Sequence, residues 1–217
     1  MVSMIVVKWL GHASFQINVD GKVVYIDPYE GEYTEKADMI LVTHSHPDHC
    51  DTSKIEKIRK VETLVIAPAD CASKIGGEVR SLKPGESINV GSISVEAVQA
   101  YNIKHFMFPG KPFHPKDLGV GYLLNVSGKT IYHAGDTDFI PEMEKLKERN
   151  ISLALLPSGG TFTMDNKEAA EAALAINPEA VIPMHRRRAN PEDFKRIVEA
   201  SSKIKVVLLK PGEEYRL

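Results

Sequence analysis

Cysteine, long apolar runs and net charge are all scarce in this chain, and each scarcity excludes something. Only Cys50 and Cys71 occur in 217 residues, too few for the disulfide framework of a small secreted scaffold. They read as free thiols of a reduced, cytoplasmic protein that pack as small apolar side chains, although Cys50 directly follows a histidine cluster. No apolar run approaches the roughly 20 residues that a membrane-spanning helix needs. The opening shows no export signal, since the apolar stretch 4–10 is short and carries Lys8. The formal net charge is only -2, so no global field draws the protein to nucleic acid or anionic lipid. The partner to expect is a small molecule, with neither nucleic acid nor membrane. Low-complexity tracts, linkers and short-period repeats are missing too, which leaves an ordinary globular mix of 43% hydrophobic and 26% charged residues. Length favours one domain over residues 1–217, or two closely fused halves, with ample material for a core.

Pattern along the chain predicts a strand-rich start. Residues 4–10 are apolar and β-branched, 14–19 alternate, Asp20-Gly21 signals a hairpin and 22–26 return. Further strands follow at 39–42, 63–67 and, around the turn Val90-Gly91-Ser92, within 88–100. Residues 101–118 hold Pro109, Gly110, Pro112 and Pro115 among aromatics and two histidines. That composition suits neither a helix nor a central strand, and a loop of that length is usually functional. The second half alternates: a hairpin over 121–132, a helix over 142–148, a strand at 153–156, a helix over 168–176, a strand at 180–182, a helix opened by Asn190-Pro191 and a closing strand at 205–209. Asp165 is the expected N-cap of the 168–176 helix, with Glu168 completing a capping box. The whole reads as a layered α/β fold.

Chemistry concentrates in one place. His44, His46, Asp48 and His49 fall within six residues, right after the apolar strand 39–42. Imidazole and carboxylate suit zinc and related divalent ions. A loop this tight cannot aim every side chain at one ion, but it can feed two adjacent ones, His44 and His46 to the first, Asp48 and His49 to the second. By composition alone the pattern would arise in about five of ten thousand such chains, and burying these groups without a cation would be costly.

The motif His44-x-His46-x-Asp48-His49 resembles the signature of the metallo-β-lactamase superfamily. Ala134-Gly135-Asp136-Thr137 resembles that family's later motif, whose Asp bridges both metals, and Met184-His185 resembles the last one, whose His binds the second metal. The segments Leu10-Gly11-His12-Ala13-Ser14-Phe15, Ile26-Asp27-Pro28 and Gly159-Gly160-Thr161 look like a subgroup of small stand-alone hydrolases that includes the bacterial ascorbate-phosphate lactonase-like proteins. The resemblance implies an α/β fold of the four-layer αββα sandwich type, with a binuclear metal centre. It implies His44, His46, Asp48, His49, Asp136 and His185 as ligands. Zinc is the default ion, two per chain, while manganese or iron fits the same donors. Asp48 and His12 are the candidate catalytic groups: Asp48 to orient the water, His12 to hydrogen-bond the developing oxyanion. Asp27, Thr137 and Asp138 are candidates to orient ligands.

Two places depart from the family pattern. Where the family supplies one more His to the first metal, this chain has Tyr101-Asn102. His105 or His114 from the Pro-rich loop could reach that position, or Asn102 or water could fill it. After His185 come Arg186-Arg187-Arg188, either a solvated charge run or an anion clamp favouring an anionic substrate. The expected activity is hydrolysis of a small ester, lactone or phosphodiester by a metal-bound hydroxide. The alternatives are a nuclease of the same fold, disfavoured by the lack of an extended basic stripe, and a non-catalytic metal-binding protein.

Overall fold

The computed structural model describes residues 4–217. They divide into two compact units, one formed by the chain up to Lys83 with Leu209–Leu217, the other by Pro84–Leu208.

The first unit is built on a seven-stranded sheet. Strands β1 (Val6–Gly11), β2 (Ser14–Val19) and β3 (Lys22–Ile26) form an antiparallel meander, flanked on its outer edge by Glu214–Arg216. The turn between β2 and β3 is Asp20-Gly21, both at positive φ (51° and 71°), the backbone that a tight two-residue hairpin demands. From β3 onward the sheet is parallel, through β4 (Met39–Leu41), β5 (Leu64–Ile66) and β6 (Val79–Arg80). Parallel pairing needs crossovers, which here contain α1 (Thr52–Ile58) and α2 (Ala69–Ile75). Ile55, Ile58, Cys71 and Ile75 of these helices join Tyr25, Ile40, Val42 and Val65 of the sheet in one buried cluster. Seven-residue helices carry too few turns for a periodic signal, so pattern alone did not predict them.

The second unit repeats the plan. Its strands are β7 (Ser87–Val90), β8 (Ile93–Gln99), the hairpin β9 (Phe106–Phe108) and β10 (Lys111–Pro112), β11 (Val120–Val126), β12 (Lys129–His133), β13 (Leu153–Pro157), β14 (Ala180–Met184) and β15 (Lys205–Val206). The main sheet runs β15-β14-β13-β12-β11-β8-β7, antiparallel from β7 to β12 and parallel from β12 to β15. Helices α3 (Asn166–Ile176) and α4 (Pro191–Ser201) lie in the parallel crossovers and bury Ala169, Ala173, Phe194 and Val198 with Tyr132, Leu156 and Val181.

Three expectations change. The helix expected over 142–148 is a 3-10 helix, Pro141–Arg149, whose buried residues Met143 and Leu146 are three apart, the spacing that three residues per turn puts on one side. The capping box is half made: Asp165 accepts from Glu168 N at 2.8 Å. The Glu168 carboxylate instead accepts from Lys104 Nζ (2.8 Å) and Phe139 N (3.2 Å). The closing strand shrinks to Lys205–Val206, because the chain from Leu209 belongs to the first unit. Among the described residues no helix is long and apolar enough to cross a membrane.

In both units several of the chemically notable residues follow the carboxyl ends of strands in the parallel half of the sheet. Asp27 follows β3, residues 43–49 follow β4, Asp136 follows β12 and His185 follows β14, the position where open α/β sheets place their ligands.

Candidate functional site

In the first unit the site grows from Asp27. This carboxylate is fully buried at a positive φ of 46°, and the Ser14 hydroxyl holds its turn by donating to the Asp27 carbonyl (2.6 Å). Asp27 Oδ1 accepts from Thr43 N at 2.7 Å. Asp27 Oδ2 accepts from the Thr43 hydroxyl at 2.6 Å and lies 2.7 Å from His49 Nδ1. A carboxylate only accepts, so His49 Nδ1 carries the proton, and Nε2 carries the ring's electron pair. The Thr43 hydroxyl has spent its one proton on Asp27. Its 3.0 Å contact with His44 Nδ1 therefore makes that nitrogen the donor, and His44 too presents Nε2 as a base. This is the arrangement by which carboxylates fix the tautomer of metal-ligating histidines.

His44 Nε2 lies 3.1 Å from His46 Nδ1. Two nitrogens on a tetrahedral ion with arms of about 2.0–2.1 Å stand about 3.3 Å apart, so the pair has the spacing of two ligands on one cation. Asp48 Oδ2 and His12 Nε2 approach to 3.2 Å. His12 owes its place to the backbone: Gly11 (φ 120°) and His12 (φ 47°) both take positive φ at the end of β1, and Trp9 Nε1 donates to the His12 carbonyl (3.1 Å). The His12 ring stands edge-on to those of His49 (5.2 Å) and Tyr29 (5.7 Å). Lys74, in the last turn of α2, donates to the Ser45 carbonyl at 2.8 Å and steadies the loop. Cys50 and Cys71 are buried free thiols. The hydrogen bond shared with Cys50, together with burial, pushes the Cys71 thiol up.

In the second unit three loops supply the donors. Asp136 Oδ2 lies 3.3 Å from His114 Nε2 and 3.2 Å from His185 Nε2. All three residues are buried. Asn102 organises His114: its Oδ1 accepts from His114 N (2.8 Å) and faces His114 Nδ1 at 2.8 Å, and Asn102 N donates to the His114 carbonyl (2.8 Å). An amide oxygen only accepts, so His114 Nδ1 is the donor and Nε2 turns to Asp136. Asn102 thus stands as an orienting group beside His114. The Asn102 Nδ2 group donates to Asp138 Oδ1 (2.8 Å) and the Phe162 carbonyl (3.1 Å). His105 faces Asp138 rather than Asp136, through Nδ1 at 2.5 Å. Burial pushes the Asp138 carboxyl up, but the Lys104 N–H, His105 and the Ile103 N–H outweigh it and hold the group below the usual carboxylate range. Thr137 works on backbone, accepting from Tyr101 N (3.1 Å) while its hydroxyl reaches the carbonyls of Tyr101 (3.0 Å) and Asp138 (2.8 Å). His185 sits at φ 49° against Gly159, where a Cβ would come within 2.4 Å of the His185 carbonyl.

The arginine run separates. Arg186 is half-buried, and desolvation lowers its pKa. Arg187 lays its guanidinium 4.4 Å over the Phe162 ring, and Arg188 is exposed. The orienting duties of Ser14 and Lys74 escaped the sequence reading. A small hydroxyl near an Asp-Pro turn gives no signal of its own, and Lys74 needs α2 to bring it to the loop.

The donor chemistry of both units fits divalent cations: imidazole nitrogens, three of them with tautomers fixed by their partners, and carboxylate oxygens, spaced as ligands are. Residues 6–185 match a β-lactamase superfamily domain. A metal-dependent hydrolase of Pyrococcus abyssi is 37% identical over 99% of this chain and 100% of its own length. One of Thermococcus kodakarensis is 36% identical over 99% and 100%. Among solved structures, a protein from Parabacteroides distasonis described as a metal-dependent hydrolase superposes with a TM-score of 0.88 at 32% identity, covering 95% of this chain and 93% of that one. A metallo hydrolase from Ignicoccus hospitalis gives 0.82 at 27% identity, covering 99% and 98%.

Proposed function

Because the chain belongs to the β-lactamase superfamily, we propose that it is a metal-dependent hydrolase acting on a small ester, lactone or phosphodiester, with residues 1–217 working as one hydrolase domain. The observation that carries this reading is the set of hydrogen bonds that commits Nδ1 of His44, His49 and His114 to Thr43, Asp27 and Asn102, so that each Nε2 serves as a cation ligand. His46, Asp48, Asp136 and His185 complete the set that the superfamily motifs imply. Zinc is the ion we favour, two per chain, with manganese or iron suited to the same donors. These side chains would hold a divalent cation, which when bound would supply an acidified water and polarise the scissile bond. Asp48 takes a hydrogen bond from the attacking water and His12 donates one to the oxygen on which charge develops. The half-buried guanidinium of Arg186 suits an anionic group on the substrate. The two buried free cysteines suit a reducing, cytoplasmic setting.

The test is turnover by the full chain loaded with zinc or manganese, on p-nitrophenyl esters, simple lactones and bis-p-nitrophenyl phosphate, with single-stranded and duplex nucleic acid alongside. Hydrolysis of a small substrate that stops on chelation supports the reading. Cleavage of nucleic acid alone would make the protein a nuclease, and metal binding without turnover on any of them would make it a non-catalytic metal-binding protein.

A further inference from the structure

Asp138 collects more donors than a loop anchor needs. Its carboxylate, fully buried, accepts from Ile103 N (2.7 Å), Lys104 N (2.6 Å) and His105 N (3.2 Å). Those three N–H groups already fix the start of the 101–118 loop. To them are added Asn102 Nδ2 (2.8 Å) and the His105 imidazole, Nδ1 to Oδ1 at 2.5 Å. Since the carboxylate only accepts, Nδ1 is the donor and the ring is locked with Nε2 at its other end. The His105 side chain is 21% exposed; Asp138 hydrogen-bonds its ring, and a Glu168 carboxylate oxygen lies within 4.8 Å of one ring nitrogen. The result is an aspartate–histidine pair: a buried carboxylate behind and a partly exposed imidazole in front, the arrangement that makes an imidazole an oriented acid or base.

The pair is tied to the candidate ligands. One amide, Asn102, donates to Asp138 through Nδ2 and accepts from His114 Nδ1 through Oδ1, while His114 Nε2 meets Asp136. His105 and His114 are further joined across the base of the β9–β10 hairpin, where Phe113 N donates to the His105 carbonyl (3.2 Å). One rigid hydrogen-bonded frame therefore sets the place of His105 and of a candidate metal ligand together.

We propose that His105, oriented by Asp138, donates the proton to the leaving group of the hydrolytic reaction. The proposal rests on the hydrolase reading above. The oxygen of water forms the new bond to carbon or phosphorus, and the bond to the leaving oxygen breaks with its electron pair going to that oxygen. The leaving oxygen takes the Nε2 proton of imidazolium His105, leaving a neutral ring whose Nδ1–H stays on Asp138. The proton lost by the attacking water goes to solvent, from which His105 is recharged.

The experiment compares the metal-loaded full chain with its His105→Gln variant on paired substrates of one acyl or phosphoryl group, one carrying a p-nitrophenyl leaving group and one an alkyl alcohol. General acid catalysis contributes roughly 10²–10⁴-fold and matters for a leaving group that cannot depart as an anion. The variant should lose at least about 100-fold in kcat on the alkyl substrate and only a few-fold on the nitrophenyl one, with unchanged metal content. Equal losses on both, or none on either, would overturn the proposal. If the wild-type chain hydrolyses neither, the hydrolase reading fails and takes this one with it. A second readout is independent of turnover: the NMR signal of a hydrogen-bonded Nδ1 proton on His105 should be present in the wild type and lost in Asp138→Asn. Its absence in the wild type would also overturn the assignment.

Discussion

The two units build the same half-antiparallel, half-parallel sheet and place candidate ligands at the same ends of their strands, yet they assemble them differently. The first delivers His44, His46, Asp48 and His49 on one loop after β4, where a single carboxylate, Asp27, binds Thr43 twice and His49 once and reaches His44 through Thr43. The second gathers His114, Asp136 and His185 from three loops far apart in sequence, with Asn102 holding only His114. A contiguous set stands or falls with one turn of chain, whereas a dispersed set depends on the whole sheet that carries it.

The two sets are expected to be equally necessary for turnover. Asp136→Asn should lower turnover by about 10²–10³-fold, the scale seen when one group that stabilises the transition state is removed, while the circular dichroism spectrum stays that of the folded chain. His46→Ala should do the same. Near-full activity in Asp136→Asn would leave the first unit as the sole metal-binding element.

A smaller and asymmetric effect is expected one layer out. Asp27→Asn should weaken metal binding by about 10–100-fold, the usual result of removing a group that orients ligands, measured by competition with a chromophoric chelator. Asn102→Ala should weaken it less, since it releases His114 alone. The reverse order would show that the dispersed set is the more dependent on its orienting residue.

Gly159→Ala probes the second unit without touching a donor. The added carbon would lie 2.4 Å from the His185 carbonyl, so backbone must move. Overpacking of this kind costs about 1–3 kcal/mol, which a thermal melt reads as a drop in Tm, and metal retention should fall with it.

The smallest effect lies at the edge of the first unit. Although burial pushes the Asp38 carboxyl up, hydrogen bonds from Lys60, the Val23 N–H and Lys22 bring it down from 3.8 to about 2. A depressed carboxyl contributes stability above its unfolded value and loses it as pH falls through the folded one. Asp38→Asn should therefore be less stable than wild type above about pH 4 and converge with it towards about pH 2, by urea unfolding across that range.

The same asymmetry decided what could be read from the chain. The strands 14–19 and 22–26 were legible to the residue, because alternation and an Asp-Gly turn are local signals. The histidine loop was legible because its pattern is contiguous. Asp136 and His185 were legible only through resemblance to known motifs. Among Asn102, His105 and His114 the sequence favoured His114 only slightly. The choice turns on which side chain the 101–118 loop directs to Asp136 and which to Asp138, and nothing in the spacing records that. The helix over Pro141–Arg149 was placed correctly but with the wrong pitch, since short apolar spacing of three fits both.

The most direct test of the account is the metal content of the full chain purified without chelator, by inductively coupled plasma mass spectrometry, in wild type and in Asp136→Asn. About two divalent ions per wild-type chain are expected, and fewer in the variant. A chain that binds none, and gains no activity on addition of zinc or manganese, would contradict the account.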